Sequence, residues 1–475
     1  MSQTSPTPPP DRSDTTITDI SPSTSTSGVA STRRTFLSRS AAVAAAAAAT
    51  SIGTQGFRTA AAAVTPARRT SGGTAVRRFR VHEPRSKLVD LKRRVRETQW
   101  PEKETVDDQS QGPQLATMQA LAHTWSEQYD WRRCEARINS FPHYITEIDG
   151  LDFHFIHARS KHANAMPIVI CHGWPGSIVE QLKIVGPLTN PTAYGGSSAD
   201  AFHVVVPSMP GYGYSGKPTA KGWGPDRIGR AYVELMRRLG YKKFVAAGGD
   251  WGAIVVELMA VDEPAGLLGI HTNMAGVVPP EIDSMFQKNL LGAAPVLPNL
   301  PANLTADERI CCEELDKVWT GGVSYALQMA FRPQVIYGQA DSPVGVAAYL
   351  MDHDAKSLAM ITRSISGVRE GLSPFDVLDN ITHFWLTNTV VSAGRLYAEN
   401  KFSFFGVKGI KNVPVAVSVF PTELYPAPET WARKAFPNLI HYNRLPKGGH
   451  FAAWEQPKLY VSEVRTGLRS LRKKL

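Results

Sequence analysis

The sequence predicts an α/β fold: a doubly wound, mostly parallel sheet, with a helical cap inserted after the sixth strand and a helical segment on the N-terminal side. Three observations predict it. Short, nearly continuous apolar runs recur at Ile168 to Cys171, His203 to Pro207, Phe244 to Ala247 and Leu267 to Thr272. Strands buried on both faces read this way. Helical stretches such as Ile228 to Leu239 and Ala253 to Ala260 lie between them, which is the alternation of βαβ units. From about Val277 to Lys411 the alternation stops. Helical and irregular segments rich in aromatic residues take over there, with Tyr325, Phe331, Tyr337, Tyr349, Phe384, Trp385 and Tyr397.

The elements follow in order. Residues 1–63 form a leader, Ser/Thr/Pro-rich and expected to be disordered up to residue 32. Arg33-Arg34 then precede the Ala-dominated run Ala41 to Ala49 and the small residues Ala60 to Ala63. A long polar start, paired arginines, a mild apolar stretch and small-residue cleavage sites are the layout of a twin-arginine export signal. The expectation is a precursor handled by the twin-arginine machinery and a mature protein that is periplasmic or extracellular. Residues 64–76 read as a linker, and 77–143 as mostly helical, with Leu88, Leu91 and Val95 at helical spacing. Residues 144–276 are the first part of the sheet core. They open on a hairpin in which Asp149-Gly150 turns between Tyr144 to Ile148 and Leu151 to Ala158. Residues 277–411 are the cap, and 412–475 resume the sheet with Val413 to Phe420 and Leu439 to Leu445.

Composition excludes several classes. With 475 residues, 43% hydrophobic and 20% charged, the chain is neither disordered overall nor membrane-like, and the Ala run of the leader is too short and weak to span a bilayer. The net charge of +10 raises nucleic acid as a partner. However, the densest basic cluster, Arg77 to Arg96, also carries Glu83 and Asp90 and ends beside Glu97. An ion-paired helix face explains it, and no nucleic-acid motif is present. Cys134, Cys171, Cys311 and Cys312 do not make a disulfide framework. No metal-ligand spacing or phosphate loop is visible, and Gly211-Tyr212-Gly213-Tyr214-Ser215 lacks a dinucleotide-binding context, so no cofactor or metal is expected.

The chemistry centres on Val245-Ala246-Ala247-Gly248-Gly249-Asp250-Trp251-Gly252. A strand running through a sharp Gly-rich turn into a helix is the context of the nucleophile elbow of α/β-hydrolases. Here the central residue is Asp250, where that motif carries Ser. A carboxylate attacks an acyl carbon poorly, but it can displace a leaving group at a saturated carbon and form an ester. Epoxides and alkyl halides suit that logic. The competing explanation is an ordinary Asp in a Gly-rich turn. In chain order a nucleophile, an acid and a His are expected. His450, in Lys447-Gly448-Gly449-His450-Phe451, takes the last place as general base for water. Glu423, directly after the strand Val413 to Phe420, is the first choice for the acid, and Glu455 the second.

Two more stretches join these: Met166 to Cys171 followed by His172-Gly173-Trp174-Pro175-Gly176-Ser177, and the segment from Phe79-Arg80-Val81 to Phe141-Pro142-His143-Tyr144. Together they resemble the microsomal-type epoxide hydrolases, a branch of the α/β-hydrolase superfamily, over nearly all of residues 77–473. The resemblance implies an α/β-hydrolase fold and places the acid at Glu423. The fold also supplies an oxyanion hole from the backbone N–H groups of Trp251 and Trp174. Further, the resemblance implies two cap tyrosines that donate to the opening epoxide oxygen, here Tyr325 and Tyr397. Tyr325 departs from the family pattern in that Gln328 follows it by three residues where the family places its Gln four residues on. Tyr337 and Tyr349 read as core filler, His172 as structural, and Trp174-Pro175 as a candidate cis bond.

The expected function is cofactor-free hydrolysis of an apolar epoxide with water to a vicinal diol, through an aspartyl ester. Haloalkane dehalogenation and a non-catalytic α/β-hydrolase-fold binding protein are the alternatives. A homodimer is an open alternative to a monomer.

Overall fold

The computed structural model describes residues 74–289, 295–368 and 370–475. The leader and the twin-arginine motif lie outside the described residues. The described residues form one nine-stranded sheet: β1 (Arg77–Phe79), β2 (His143–Ile148), β3 (Leu151–Ala158), β4 (Met166–Cys171), β5 (Phe202–Pro207), β6 (Phe244–Gly248), β7 (Leu267–Thr272), β8 (Val415–Val419) and β9 (Leu439–Arg444). Their order across the sheet is β1-β2-β3-β5-β4-β6-β7-β8-β9. Pairings on the β1 side are antiparallel as far as β3–β5. The rest of the sheet, from β5–β4 to β8–β9, is parallel.

The apolar runs become the central strands for a simple reason. β4, β6 and β8 are buried at every residue, so both faces must be apolar. Between β2 and β3, Asp149 and Gly150 take φ of 52° and 77°, the left-handed pair that a tight hairpin needs. Helices Ile178–Thr189, Pro225–Arg238 and Trp251–Asp262 cross over between the parallel strands. The last of these is buried along Trp251 to Ala260, which explains why its sequence shows no polar stripe.

One element differs from the sequence reading. Arg77–Phe79 is an edge strand paired with β2 and lies outside the helix. Pro84 stops a helix from extending back past Arg85, and Phe79 turns inward against His154 and Tyr214, ring centroids 5.0 and 5.3 Å away. The cap therefore follows the seventh strand of the chain, β7. The basic helix Arg85–Arg96 is ion-paired as expected, with Asp90 2.7 Å from both Arg93 and Arg94.

Seven α-helices longer than seven residues, from Pro280–Lys288 to Val390–Glu399, lie between β7 and β8 among the described residues. The N-terminal segment fastens onto them. Tyr129 Oη donates to Asp379 Oδ1 at 2.7 Å, and Gln109 Nε2 to Thr362 Oγ1 at 2.7 Å. The four cysteines are free and buried. No helix among the described residues is long and apolar enough to cross a membrane.

Candidate active site

The carboxyl ends of β4, β6 and β8 and the loop after β9 converge on Asp250, the usual location of a site in an open parallel sheet. Asp250 sits between β6 and helix Trp251–Asp262 with φ 51° and ψ −129°. A non-glycine residue in that region costs about 1–3 kcal/mol, so the turn must be held from outside. The flanking glycines show how. A Cβ at Gly248 would strike the Gly252 carbonyl, and one at Gly252 would strike the carbonyl of Cys171 on β4. Glycine at both positions lets the helix start close against the strand ends and drives the Asp250 side chain upward.

The Asp250 carboxyl is buried and its two oxygens are distinguished. Oδ1 accepts the Trp174 N–H at 2.7 Å. Oδ2 lies 3.6 Å from His450 Nε2. Burial raises its pKa, opposed by His450 and by the Trp251 and Trp174 N–H groups. The Trp174-Pro175 bond is cis.

His450 lies on the loop after β9 and Glu423 directly after β8. The two loops are tied together, since Thr422 N–H and Oγ1–H both donate to the Gly448 carbonyl at 3.1 Å. His450 Nδ1 meets Glu423 Oε1 at 2.5 Å. Glu423 also accepts the Leu424 N–H at 2.9 Å and the Asn273 side-chain amide at 3.4 Å. Burial works against charge on the imidazole. The Glu423 carboxylate, then Asp250 and Asp354, outweigh it and carry the pKa from 6.5 up to about 10. Glu455, the second choice for the acid, instead accepts the N–H groups of Gly449 and Phe451, both at 3.1 Å. It braces the loop that carries His450.

Both cap tyrosines reach this place, each partly buried. Tyr325, on helix Ser324–Phe331, stacks on Trp174 with centroids 4.7 Å apart and planes at 15°. Tyr397, on helix Val390–Glu399, stands edge-on to Trp251 at 4.8 Å, and its ring is 6.1 Å from that of Tyr325. The two tryptophans beside the nucleophile are thus the surfaces on which the two phenols rest. Tyr349 is partly buried behind them, its hydroxyl donating to the Tyr325 carbonyl at 3.3 Å. Tyr337 is not core filler, because its side chain is on the surface, 65% exposed. His172 is structural as expected. Its Nε2 accepts the Met209 N–H at 3.2 Å, and burial pushes its pKa down to about 4.

Sequence reasoning missed His353 and Asp354, which follow the cap helix Pro343–Met351. The ring of His353 stacks on His450 at 4.2 Å between centroids. A ring nitrogen of His353, one of His450 and a carboxylate oxygen of Asp250 lie within 4.8 Å of one another. Two imidazoles and a carboxylate at that spacing are a donor set that suits a transition-metal ion, although no ligand spacing was visible along the chain. The only local signal was an Asp-His-Asp run, Asp352 to Asp354, in a segment read simply as part of the cap.

Comparison with known proteins identifies the relatives of this chain. Residues 76–181 match the family described as "Epoxide hydrolase N terminus", and residues 166–307 match "alpha/beta hydrolase fold". Over 397 residues the chain is 46% identical to a Stigmatella aurantiaca protein whose name includes the words epoxide hydrolase, covering 83% of this chain and 85% of that one. It is 35% identical over 355 residues to Epoxide hydrolase 1 of Oryctolagus cuniculus, covering 72% and 77%. The crystal structure of juvenile hormone epoxide hydrolase from the silkworm Bombyx mori superimposes with a TM-score of 0.73 at 25% identity, over 85% of this chain and 96% of that one.

Proposed function

Because the chain belongs to the epoxide hydrolase family, with the α/β-hydrolase fold, and is therefore an epoxide hydrolase, we propose that it opens an apolar epoxide to a vicinal diol through an ester on Asp250. One observation carries the covalent route. Asp250 Oδ1 is engaged by a backbone N–H at 2.7 Å, which leaves Oδ2 as the free nucleophile on the side of His450.

In the first step Oδ2 attacks an epoxide carbon and the C–O bond breaks. The departing oxygen takes a proton from Tyr325 or Tyr397, both of which have pKa values pushed up by burial and by Asp250. A phenol that holds its proton tightly stays protonated until an alkoxide appears beside it. The aromatic walls of Trp174, Trp251 and the tyrosines suit an apolar substituent on the epoxide.

In the second step water attacks the acyl carbon of the ester. Its proton goes to His450 Nε2, and its hydroxyl becomes part of the Asp250 carboxyl. Negative charge builds on Oδ1, which accepts the Trp174 N–H, and the Trp251 N–H also lies against this carboxyl. Collapse expels the second diol oxygen as an alkoxide, which takes the proton from His450. The proton left on the new Asp250 carboxyl passes through solvent to the tyrosinate, restoring the carboxylate, the imidazole and the phenol. Esterification itself prepares the base. It removes the Asp250 charge, one of the causes that raise the His450 pKa, so the imidazole is easier to deprotonate when it is needed.

The test is a single turnover with excess enzyme in heavy-oxygen water. The covalent route gives unlabelled diol and places the label in Asp250. Labelled diol in the first turnover would show direct attack by water. Run over a panel of epoxides and haloalkanes, with diol and halide as readouts, the same assay separates epoxide opening from dehalogenation.

A further inference from the structure

The Nε2 atoms of His450 and His353 are both buried and without a hydrogen-bond partner among the described residues. The mechanism above uses only the first. His353 is nonetheless built like a working group. Its Nδ1 lies 2.9 Å from Asp354 Oδ2. The other oxygen, Asp354 Oδ1, caps helix Ala355–Ile365 by accepting the N–H groups of Lys356 at 3.0 Å and Ser357 at 2.9 Å. Asp354 is therefore fixed in place. Burial opposes its charge, but the bonds to His353 and Ser357 hold its pKa well below the ordinary value. An ionised Asp354 is an acceptor only, so the proton of the His353 ring is held at Nδ1 and the lone pair at Nε2. Glu423 engages His450 Nδ1 in the same way, so once the ester has removed the Asp250 charge the neutral His450 ring carries its lone pair at Nε2.

Two imidazoles, each oriented from behind by a carboxylate, thus lie stacked at 4.2 Å with planes at 27°. A nitrogen of each ring lies within 4.8 Å of the other and of an Asp250 oxygen, and with both Nδ1 atoms engaged the Nε2 atoms are the ones left to accept a hydrogen bond. A water that donates one O–H to each of two acceptors at about 2.8 Å holds them roughly 4.5 Å apart. The spacing fits a single water shared between the rings, beside the acyl carbon that Asp250 would carry.

We propose that His353 is the second acceptor on the hydrolytic water, orienting it for attack on the Asp250 ester while His450 takes the proton. The inference rests on the ester mechanism proposed above. With both O–H bonds engaged, the remaining lone pairs of the water face away from the rings and towards the carbonyl carbon. In the step, the water O–H bond to His450 breaks, the oxygen bonds to the acyl carbon, and the proton moves to His450 Nε2. The hydrogen bond to His353 persists throughout, and His353 gains no proton. Because His353 comes from the cap and His450 from the sheet domain, the water site is complete only with the cap in place over the sheet.

The proposal separates the two half-reactions. With styrene oxide as probe, rapid-quench single turnovers would follow ester formation by intact-protein mass and ester decay by diol release. His353→Phe should form the ester within about 3-fold of the wild-type rate and hydrolyse it about 10- to 100-fold more slowly, the size expected from loss of positioning. His353→Gln keeps an acceptor oxygen and should recover part of the loss. Equal slowing of both steps would make His353 a packing residue and overturn the proposal, as would unchanged decay in both variants. Repeating the wild-type turnover with a chelator tests the other use of these atoms, because a change in decay on chelation would make His353 a metal ligand and also overturn it. If the wild type itself forms no ester, the covalent mechanism fails first. A wild-type ester with normally reacting variants removes only the role of His353.

Discussion

Replacing Glu423 by Gln removes a charge 2.5 Å from His450 Nδ1 and keeps an acceptor there. The consequence can be sized. Burial depresses the imidazole, and Glu423, followed by Asp250 and Asp354, reverses this and carries it from 6.5 to about 10. At about 1.4 kcal/mol per pH unit, that rise is on the order of 5 kcal/mol. Glu423 heads the groups that raise it. A hydrogen bond to a charged group contributes roughly 1.5–3 kcal/mol, so about that much stabilisation is lost from the imidazolium that forms when water is deprotonated. Ester hydrolysis should then slow by about 10²-fold, while ester formation, which makes no imidazolium, changes only a few-fold. The sign of the pH effect is independent of that size. Hydrolysis requires neutral His450, and without Glu423 the ring gives up its proton at lower pH. The acid limb of the hydrolysis rate should therefore move to lower pH even as the plateau falls. Single turnovers at a series of pH values, with ester followed by mass and diol by chromatography, read both quantities. An acid limb that stays in place or moves up, or an equal loss in both steps, would refute this account of the Glu423–His450 pair.

Two other outcomes follow. Tyr325→Phe and Tyr397→Phe should each lose only part of the ring-opening rate, since both phenols stand against the tryptophans beside Asp250, and the double variant should lose about 10²–10⁴-fold. Full activity in the double variant, measured as ester formation, would move the proton donor elsewhere, with Tyr349 the next to replace. We also propose export through Arg33-Arg34. Changing both to Lys should leave the precursor in the cytoplasm on cell fractionation, and normal export of that variant would exclude the twin-arginine route.

Within the chain itself, what could be read along the line was what local physics dictates. Short apolar runs alternating with helical stretches read as strands buried on both faces, so the sheet core was legible. Gly248 and Gly252 at their spacing leave room for one sharp turn, so Asp250 was legible at its crest. Glu423 and His450 lie in the loops that follow late strands, and strands of a parallel sheet deliver their following residues to one edge. Chain order was therefore enough to bring the three together. β1 was not legible, because three residues, Arg77 to Phe79, carry no period and owe their pairing to a neighbouring strand far along the chain. The tertiary structure alone decided among the aromatic residues of the cap. Tyr325 and Tyr337 sit in similar helical surroundings in sequence, yet one stacks on Trp174 and the other is 65% exposed. It also decided the place of His353. A histidine flanked by aspartates reads as solvated polar sequence, and only the docking of the cap on the sheet buries it against His450. Local periodicity encodes which face of an element is apolar. It does not encode which element, from another part of the chain, that face will meet.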